Sequence, residues 1–197
     1  MRVLIIGCGY VGLPLGAELV RQGHEVYGLK RSSASREPLA NVGIRFLAAD
    51  ITQPASLAGL SNSYDWVVNL VSSSKGGAGE YRDVYLDGTR NVLNWLAEAP
   101  PKKFVYTSST SVYAQTDGSL VKESSPTEPN TETAQLLLDT EKALMDAVTE
   151  RRLPAIVLRV AGIYGPDRGH YLLQYLKDEA RIAGKGDRIL NMIHRDD

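Results

Sequence analysis

Apolar residues along this chain gather in short blocks at positions 3–6, 26–29, 44–47, 66–70, 104–106 and 155–160. The blocks are rich in Val, Ile and Leu and lack a two-residue alternation, which predicts strands buried on both faces. Between them the apolar positions take a helical period over 11–21, 54–60, 84–98 and 133–150. Strand and helix in alternation predict an α/β fold, a doubly wound parallel sheet with helices on both faces and right-handed crossovers. The polar, proline-containing stretch 114–131 is expected to be a long loop, and the SSSKGGAG run at 72–79 a short mobile one. No internal repeat is visible, and no linker divides the chain into two complete domains.

Composition narrows the class of partner. With 197 residues, 43% hydrophobic and 23% charged, the chain has the make-up of an ordinary globular domain with room for a sizeable core. Its 22 basic and 23 acidic residues leave a net charge of -1, so no single-sign field points to nucleic acid or an anionic membrane. A small-molecule substrate is the expectation. The apolar run after Arg2 is too short for a secretory signal, and no stretch reaches the roughly 18–20 apolar residues of a spanning helix. The one cysteine, Cys8, excludes an internal disulfide and suits a reducing compartment, so a cytoplasmic location is expected.

The most specific local pattern is Gly7-Cys8-Gly9-Tyr10-Val11-Gly12, a G-x-G-x-x-G directly after the first predicted strand and before the first predicted helix. In that context Gly7 serves a tight turn, Gly9 admits close approach of a pyrophosphate to backbone, and Gly12 permits close helix-to-strand packing. The helix N-terminus then presents unpaired N–H groups and a positive dipole end to phosphate, so Tyr10 and Val11 belong to the same candidate site. Lys30 and Arg31 stand at the end of the second predicted strand, where an Asp or Glu would bind the ribose 2′-OH of NAD. Cations there, followed by Ser32 and Ser33, favour the 2′-phosphate of NADP over NAD. Asp50 and Ile51 follow the third strand on the adenine side. Asp50 either accepts from the adenine amino group or caps a helix. Leu70, Val71 and Ser72 follow the fourth strand, where they are expected to line the cofactor at the switch point.

Further motifs continue the order. They are Gly88-Thr89-Arg90-Asn91-Val92-Leu93, Tyr106-Thr107-Ser108-Ser109-Thr110-Ser111-Val112-Tyr113, Arg159-Val160-Ala161-Gly162-Ile163-Tyr164-Gly165-Pro166, and Asn191-Met192-Ile193-His194-Arg195-Asp196-Asp197. Together with the glycine loop they resemble the extended short-chain dehydrogenase/reductases, the NAD(P)-dependent nucleotide-sugar epimerase/dehydratase group, and most of all its atypical YeeZ-like branch. The resemblance implies an NAD(P)-binding Rossmann domain over 1–183, with 184–197 opening a substrate-binding region that is incomplete, so a truncated chain is expected. It also implies a nucleotide sugar or similar polar substrate. A homodimer through the helices at 88–98 and 133–150 is a further expectation of the likeness.

The same resemblance implies a Ser/Thr, Tyr, Lys set: a tyrosine exchanging a proton with the substrate hydroxyl, a lysine four residues later, and a Ser/Thr orienting the substrate. Ser109 takes the Ser/Thr position, although a serine at a strand end also serves turns, and Thr107 of the same motif falls beside the cofactor. A family glutamate eight residues after the Tyr matches Glu141, which puts Thr133 and Leu137 where Tyr and Lys belong. Neither can do that chemistry, and Lys142 lies about 140° around the helix from Leu137. Three tyrosines, Tyr113, Tyr164 and Tyr81, are candidates to substitute, none with a lysine at fixed helical spacing. His170 and His194 are isolated, and no cluster of His, Cys, Asp and Glu has metal-ligand spacing. The expected activity is therefore an epimerase/dehydratase-like oxidoreductase with an altered acid/base residue, Ser109, Tyr113 and Tyr164 being the candidates. The alternative is a catalytically silent NADP(H)-binding regulator or scaffold.

Overall fold

The computed structural model describes residues 1–73, 76–181, 186 and 189–197. Six parallel strands form one sheet: β1 (Arg2–Ile6), β2 (Glu25–Lys30), β3 (Arg45–Ala48), β4 (Trp66–Asn69), β5 (Lys103–Ser109) and β6 (Ala155–Val160). Their order is β3-β2-β1-β4-β5-β6. The chain winds outward from β1 to β3, then returns to the other side of β1 and winds outward again. The order therefore reverses between β1 and β4, and a crevice opens there at the carboxyl ends of the strands.

The apolar blocks form central strands because both faces are covered. Along β1, Leu4 and Ile6 point into a cluster with Val67, Phe104, Tyr106, Val92, Leu96 and Leu144. Val3 and Ile5 point the other way, into a cluster with Val26, Val68, Leu39 and the half-buried Leu15 and Leu19. The first cluster is roofed by α5 (Gly88–Trp95) and α6 (Glu132–Arg151), the second by α1 (Gly12–Arg21) and α2 (Arg36–Ala40). Burying each such side chain contributes about 1.5–3 kcal/mol.

Several expectations need correction. Strands β5 and β6 alternate rather than burying both faces: Phe104, Tyr106 and Ser108 are buried between more open neighbours, and Ile156 and Leu158 of β6 stay exposed. The reason is position, since β6 is the sheet edge and α6 covers one face. The helix read over 84–98 starts earlier, as α4 (Ala78–Tyr81) running through a π-helical turn (Arg82–Asp87) into α5. Its first turn buries no residue, so apolar periodicity cannot register it. The helix read over 54–60 is only α3 (Pro54–Leu57), because Ala58 turns to an extended conformation. Ile44 precedes β3 and packs with Leu39 and Ile5 instead.

Short elements escaped periodicity altogether. Beyond α2 these are β7 (Gly162–Tyr164), α7 (His170–Leu176) and β8 (Met192–His194), with β7 and β8 pairing in a second, two-stranded parallel sheet. The stretch 114–131 is a loop of turns, as expected. The boundary expected at 183/184, positions 74 and 75 of the 72–79 loop, and the side chain of His170 lie outside the described residues. Among the described residues no helix is long and apolar enough to cross a membrane.

Candidate functional site

The glycine loop occupies the switch point. Gly7 ends β1 with φ +82°, and a Cβ there would lie 2.8 Å from the carbonyl carbon and oxygen of Leu70. The ends of β1 and β4 thus approach more closely than any side chain allows, in a backbone region that favours glycine. At Gly12 a Cβ would stand 3.0 Å from Gly7 O and Ile5 Cγ2, so this glycine seats α1 directly on β1. Around Gly9 the space is open, the nearest atom being Gly7 O at 3.9 Å from a hypothetical Cβ.

Helix α1 begins at Val11 without a side-chain cap, and its first turn holds no acidic residue. Leu13 N donates to Gly9 O at 2.9 Å and Pro14 has no N–H, so the positive dipole end is what this turn offers a phosphate. Below the loop lies a cleft of about 220 Å³. Gly7, Gly9, Lys30, Arg31, Asp50, Ile51, Leu70, Val71 and Ser72 all line it, so nine residues nominated from sequence converge on one cavity. Tyr10, Val11, Gly12, Ser32 and Thr107 lie outside that lining. The residues present fit a dinucleotide, with an apolar floor of Ile6, Ile51 and Val84, an open backbone at Gly9 and an uncapped helix end.

The charged groups of the cleft are partly committed to one another. Asp50 Oδ1 accepts from Thr52 N at 3.0 Å and from Thr52 Oγ1 at 2.8 Å, while Oδ2 sits 3.9 Å from Arg31 Nη1. Asp50 therefore closes a local turn and lines the cleft, and it does not cap a helix, since α3 starts from Gln53. Ser32 Oγ accepts from Ala34 N, and Thr107 Oγ1 donates to Asn69 O. Asn69 itself went unnoticed in the sequence; fully buried at the end of β4, it donates to Thr89 Oγ1 and accepts from Val71 N, which holds the cleft wall in place. Burial pushes the Cys8 thiol up to about 11, so it stays protonated at neutral pH despite nearby Lys30.

A partly buried ionic cluster stands on the β5–β6 side, near the carboxyl ends of those strands. Glu141 of α6 accepts from Ser108 Oγ at 2.5 Å and from the Arg159 guanidinium at 2.7–3.2 Å. Arg159 Nη1 in turn donates to Tyr113 Oη at 2.6 Å, and the guanidinium lies 4.9 Å from that ring's centroid. Its bond to Glu141 holds the Arg159 pKa above the usual arginine range. Tyr113 Oη also donates to Lys122 O. The sequence signal for this cluster was a charged residue inside the apolar β6 run, which has to find a partner when buried.

Of the remaining nominated residues, Ser109 Oγ accepts from Ser111 N and caps a short 3-10 turn, and Tyr164 packs edge-on against His194 at 5.2 Å. Tyr81 packs against Tyr85 at 4.7 Å. Thr133 sits in the first turn of α6, its hydroxyl 3.2 Å from Thr131 Oγ1, and Leu137 is buried one turn on. Lys142 is exposed and pairs with Asp139 at 3.8 Å, away from the crevice.

A doubly wound sheet with a glycine cradle at its switch point defines a Rossmann-type protein. The chain belongs to the NAD dependent epimerase/dehydratase family, whose sequence model matches residues 3–183. It is 27% identical to Protein YeeZ of Escherichia coli K12, all of this chain aligning with 69% of that protein. It is 33% identical to dTDP-6-deoxy-L-talose 4-dehydrogenase (NAD(P)(+)) of Kitasatospora kifunensis, over 93% of this chain and 60% of that one. Among solved structures, the putative NAD-dependent epimerase/dehydratase from Methylobacillus flagellatus superposes with a TM-score of 0.80 at 36% identity, covering all of this chain and 66% of its own. The chain thus spans between three-fifths and about seven-tenths of the length of these relatives.

Proposed function

We propose that the chain binds NADP(H) and serves an epimerase/dehydratase-like oxidoreductase whose substrate is a nucleotide sugar or similar polar small molecule. The carrying observation is the cleft at the switch point, where the strand end that would hold a ribose-binding acid presents Lys30 and Arg31. The relative from Kitasatospora, named as an NAD(P)(+) dehydrogenase of a dTDP-deoxysugar, supports the class of reaction and substrate. In this reading residues 1–183 form the dinucleotide-binding unit, and 184–197 begin a substrate-contacting part.

The chain's own groups have defined tasks. The glycine loop and the start of α1 bind the pyrophosphate, Ile51 and Val71 flank the adenine, and Lys30 meets the 2′-phosphate. A bound nicotinamide supplies hydride chemistry. Ser109 orients the substrate hydroxyl once its bond to Ser111 N is exchanged, and Tyr113 or Tyr164 handles the proton that Thr133 and Leu137 cannot.

One feature favours a second reading, the silent NADP(H)-binding regulator. Tyr113 Oη is held between Arg159 and Lys122 O, and Leu137 is buried where a lysine would be needed. Calorimetric titration with NADPH and NADH tests the cofactor: NADPH is expected to bind at least about tenfold tighter, and equal affinities overturn the assignment. Single-turnover loss of NADPH absorbance with a sugar-nucleotide substrate separates enzyme from regulator. A rate abolished by Tyr113→Phe or Tyr164→Phe identifies the acid/base, and no oxidation with any such substrate leaves the silent reading.

A further inference from the structure

A second cavity, of about 570 Å³, lies on the outer side of the glycine loop. Gly9 and Tyr10 of the loop, Lys30 at the end of β2 and Ser35 line one side, and Arg168 and Arg195 the other. These last two come from the loop after β7 and from the residue after β8, far from the loop in sequence. Tyr10 ties the sides together: its hydroxyl donates to Pro166 O at 2.9 Å, and the guanidinium carbons of Arg168 and Arg195 lie 5.1 and 5.2 Å from its ring centroid.

Resting on the NADP reading above, we propose that Arg168 and Arg195 complete, with Lys30, the pocket for the cofactor's 2′-phosphate. The residue ending the second strand is the one that meets the ribose 2′ position. That residue is Lys30, and it lines both cavities, so a substituent on the 2′ oxygen passes from the adenine cleft into the outer one. The charge balance there suits a phosphate. Arg195 is bound to Asp196 at 2.7 Å and Asp167 also lines the cavity, which sets two carboxylates against three cations. Neither Arg168 nor Lys30 has a carboxylate within ion-pair distance among the described residues. A dianion bound to several guanidinium and ammonium groups gains charge-assisted hydrogen bonds that a bare hydroxyl does not.

The other residues that sequence nominates for this task do not line the outer cavity. Arg31 lies in the adenine cleft and faces Asp50, and the Ser32 hydroxyl is taken by Ala34 N. The structure therefore assigns the larger share of the discrimination to Arg168 and Arg195 than to Arg31.

The test is calorimetric titration of NADPH, NADH, adenosine 2′,5′-bisphosphate and 5′-AMP into the chain and into its Arg168→Ala, Arg195→Ala and Arg31→Ala variants. Arg168→Lys serves as a milder change, and a thermal melt without ligand checks each fold. Arg168→Ala and Arg195→Ala are each expected to weaken NADPH and the 2′,5′-bisphosphate about tenfold while leaving NADH and 5′-AMP within about twofold, with Arg31→Ala costing less. Equal weakening of NADPH and NADH would assign the arginines to the diphosphate and overturn the proposal. An unchanged preference in both arginine variants overturns it too, while leaving the NADP reading intact. A parent chain without preference for NADPH overturns the NADP reading itself, and this pocket with it.

Discussion

The two long helices that begin beside the crevice begin differently. Helix α1 opens at Val11 with no side-chain cap and no acid in its first turn, whereas α6 is closed by Thr131, whose Oγ1 accepts from Ala134 N, and carries Glu132. An uncapped N-terminus leaves its dipole end open to a ligand, and a capped one is closed by the chain itself. The same contrast runs through the two halves of the sheet. On the β1–β3 side the backbone is open at Gly9 and Lys30 stands without an ion-pair partner among the described residues, while on the β5–β6 side Ser108, Glu141, Arg159 and Tyr113 bond to one another. The first half is arranged to receive a ligand, and the second is occupied in holding β5, β6 and α6 together.

The largest expected effect comes from breaking the closed half. Glu141→Ala strips the half-buried Arg159 guanidinium of its main partner and leaves the buried Ser108 hydroxyl without its acceptor, and losing such charge-assisted bonds costs about 3 kcal/mol. Urea denaturation reads this directly. A loss below about 1 kcal/mol would mean that the cluster is not what secures α6 to the sheet. Gly7→Ala strikes the open half. It demands a positive φ from alanine at about 1–3 kcal/mol, and it pushes Leu70 and Val71 out of the cleft wall, so NADPH affinity should fall along with stability. Unchanged affinity in calorimetry would show that the cradle tolerates a side chain.

The helix ends give a sharper, smaller test. Thr131→Ala removes the α6 cap and should cost about 1 kcal/mol of stability without altering dinucleotide binding. Val11→Asp should do the reverse, weakening NADPH by placing a carboxylate at the phosphate end while gaining a few tenths of a kcal/mol from the dipole. If both variants moved stability and affinity together, the distinction between an open and a closed helix end would fail.

The smallest effect lies away from both halves. Bonds from Lys102 and from the Arg2 backbone hold the Asp65 carboxyl below the usual range, and a bond from Arg21 holds Glu18 at about 2. A depressed folded pKa contributes stability that is complete above the unfolded value, near pH 4, and lost as pH falls through the folded one. Thermal midpoints recorded from pH 6 to pH 2 should therefore decline below about pH 4, and the decline should be shallower in Asp65→Asn. An identical profile in that variant would remove Asp65 from the account. Both groups are in partial contact with solvent, so salt should blunt the effect.

What was legible in the sequence was what the chain decides locally. The run at 3–6, the glycines at 7, 9 and 12 and the helix after them fall within twenty residues, and strand, turn and helix each leave their own period there. The strand ends at Lys30, Asp50 and Leu70 were legible for the same reason, since a parallel sheet brings every such end to one edge. What only the tertiary structure decided joins distant positions: Ser108 to Glu141 and Arg159, and Tyr10 to Pro166, Arg168 and Arg195. No period marks such pairs, because their partners are chosen by the path of the chain between them. The exposed face of β6 belongs with these, since an apolar block reads alike at the centre of a sheet and at its edge, and only the sheet order tells them apart.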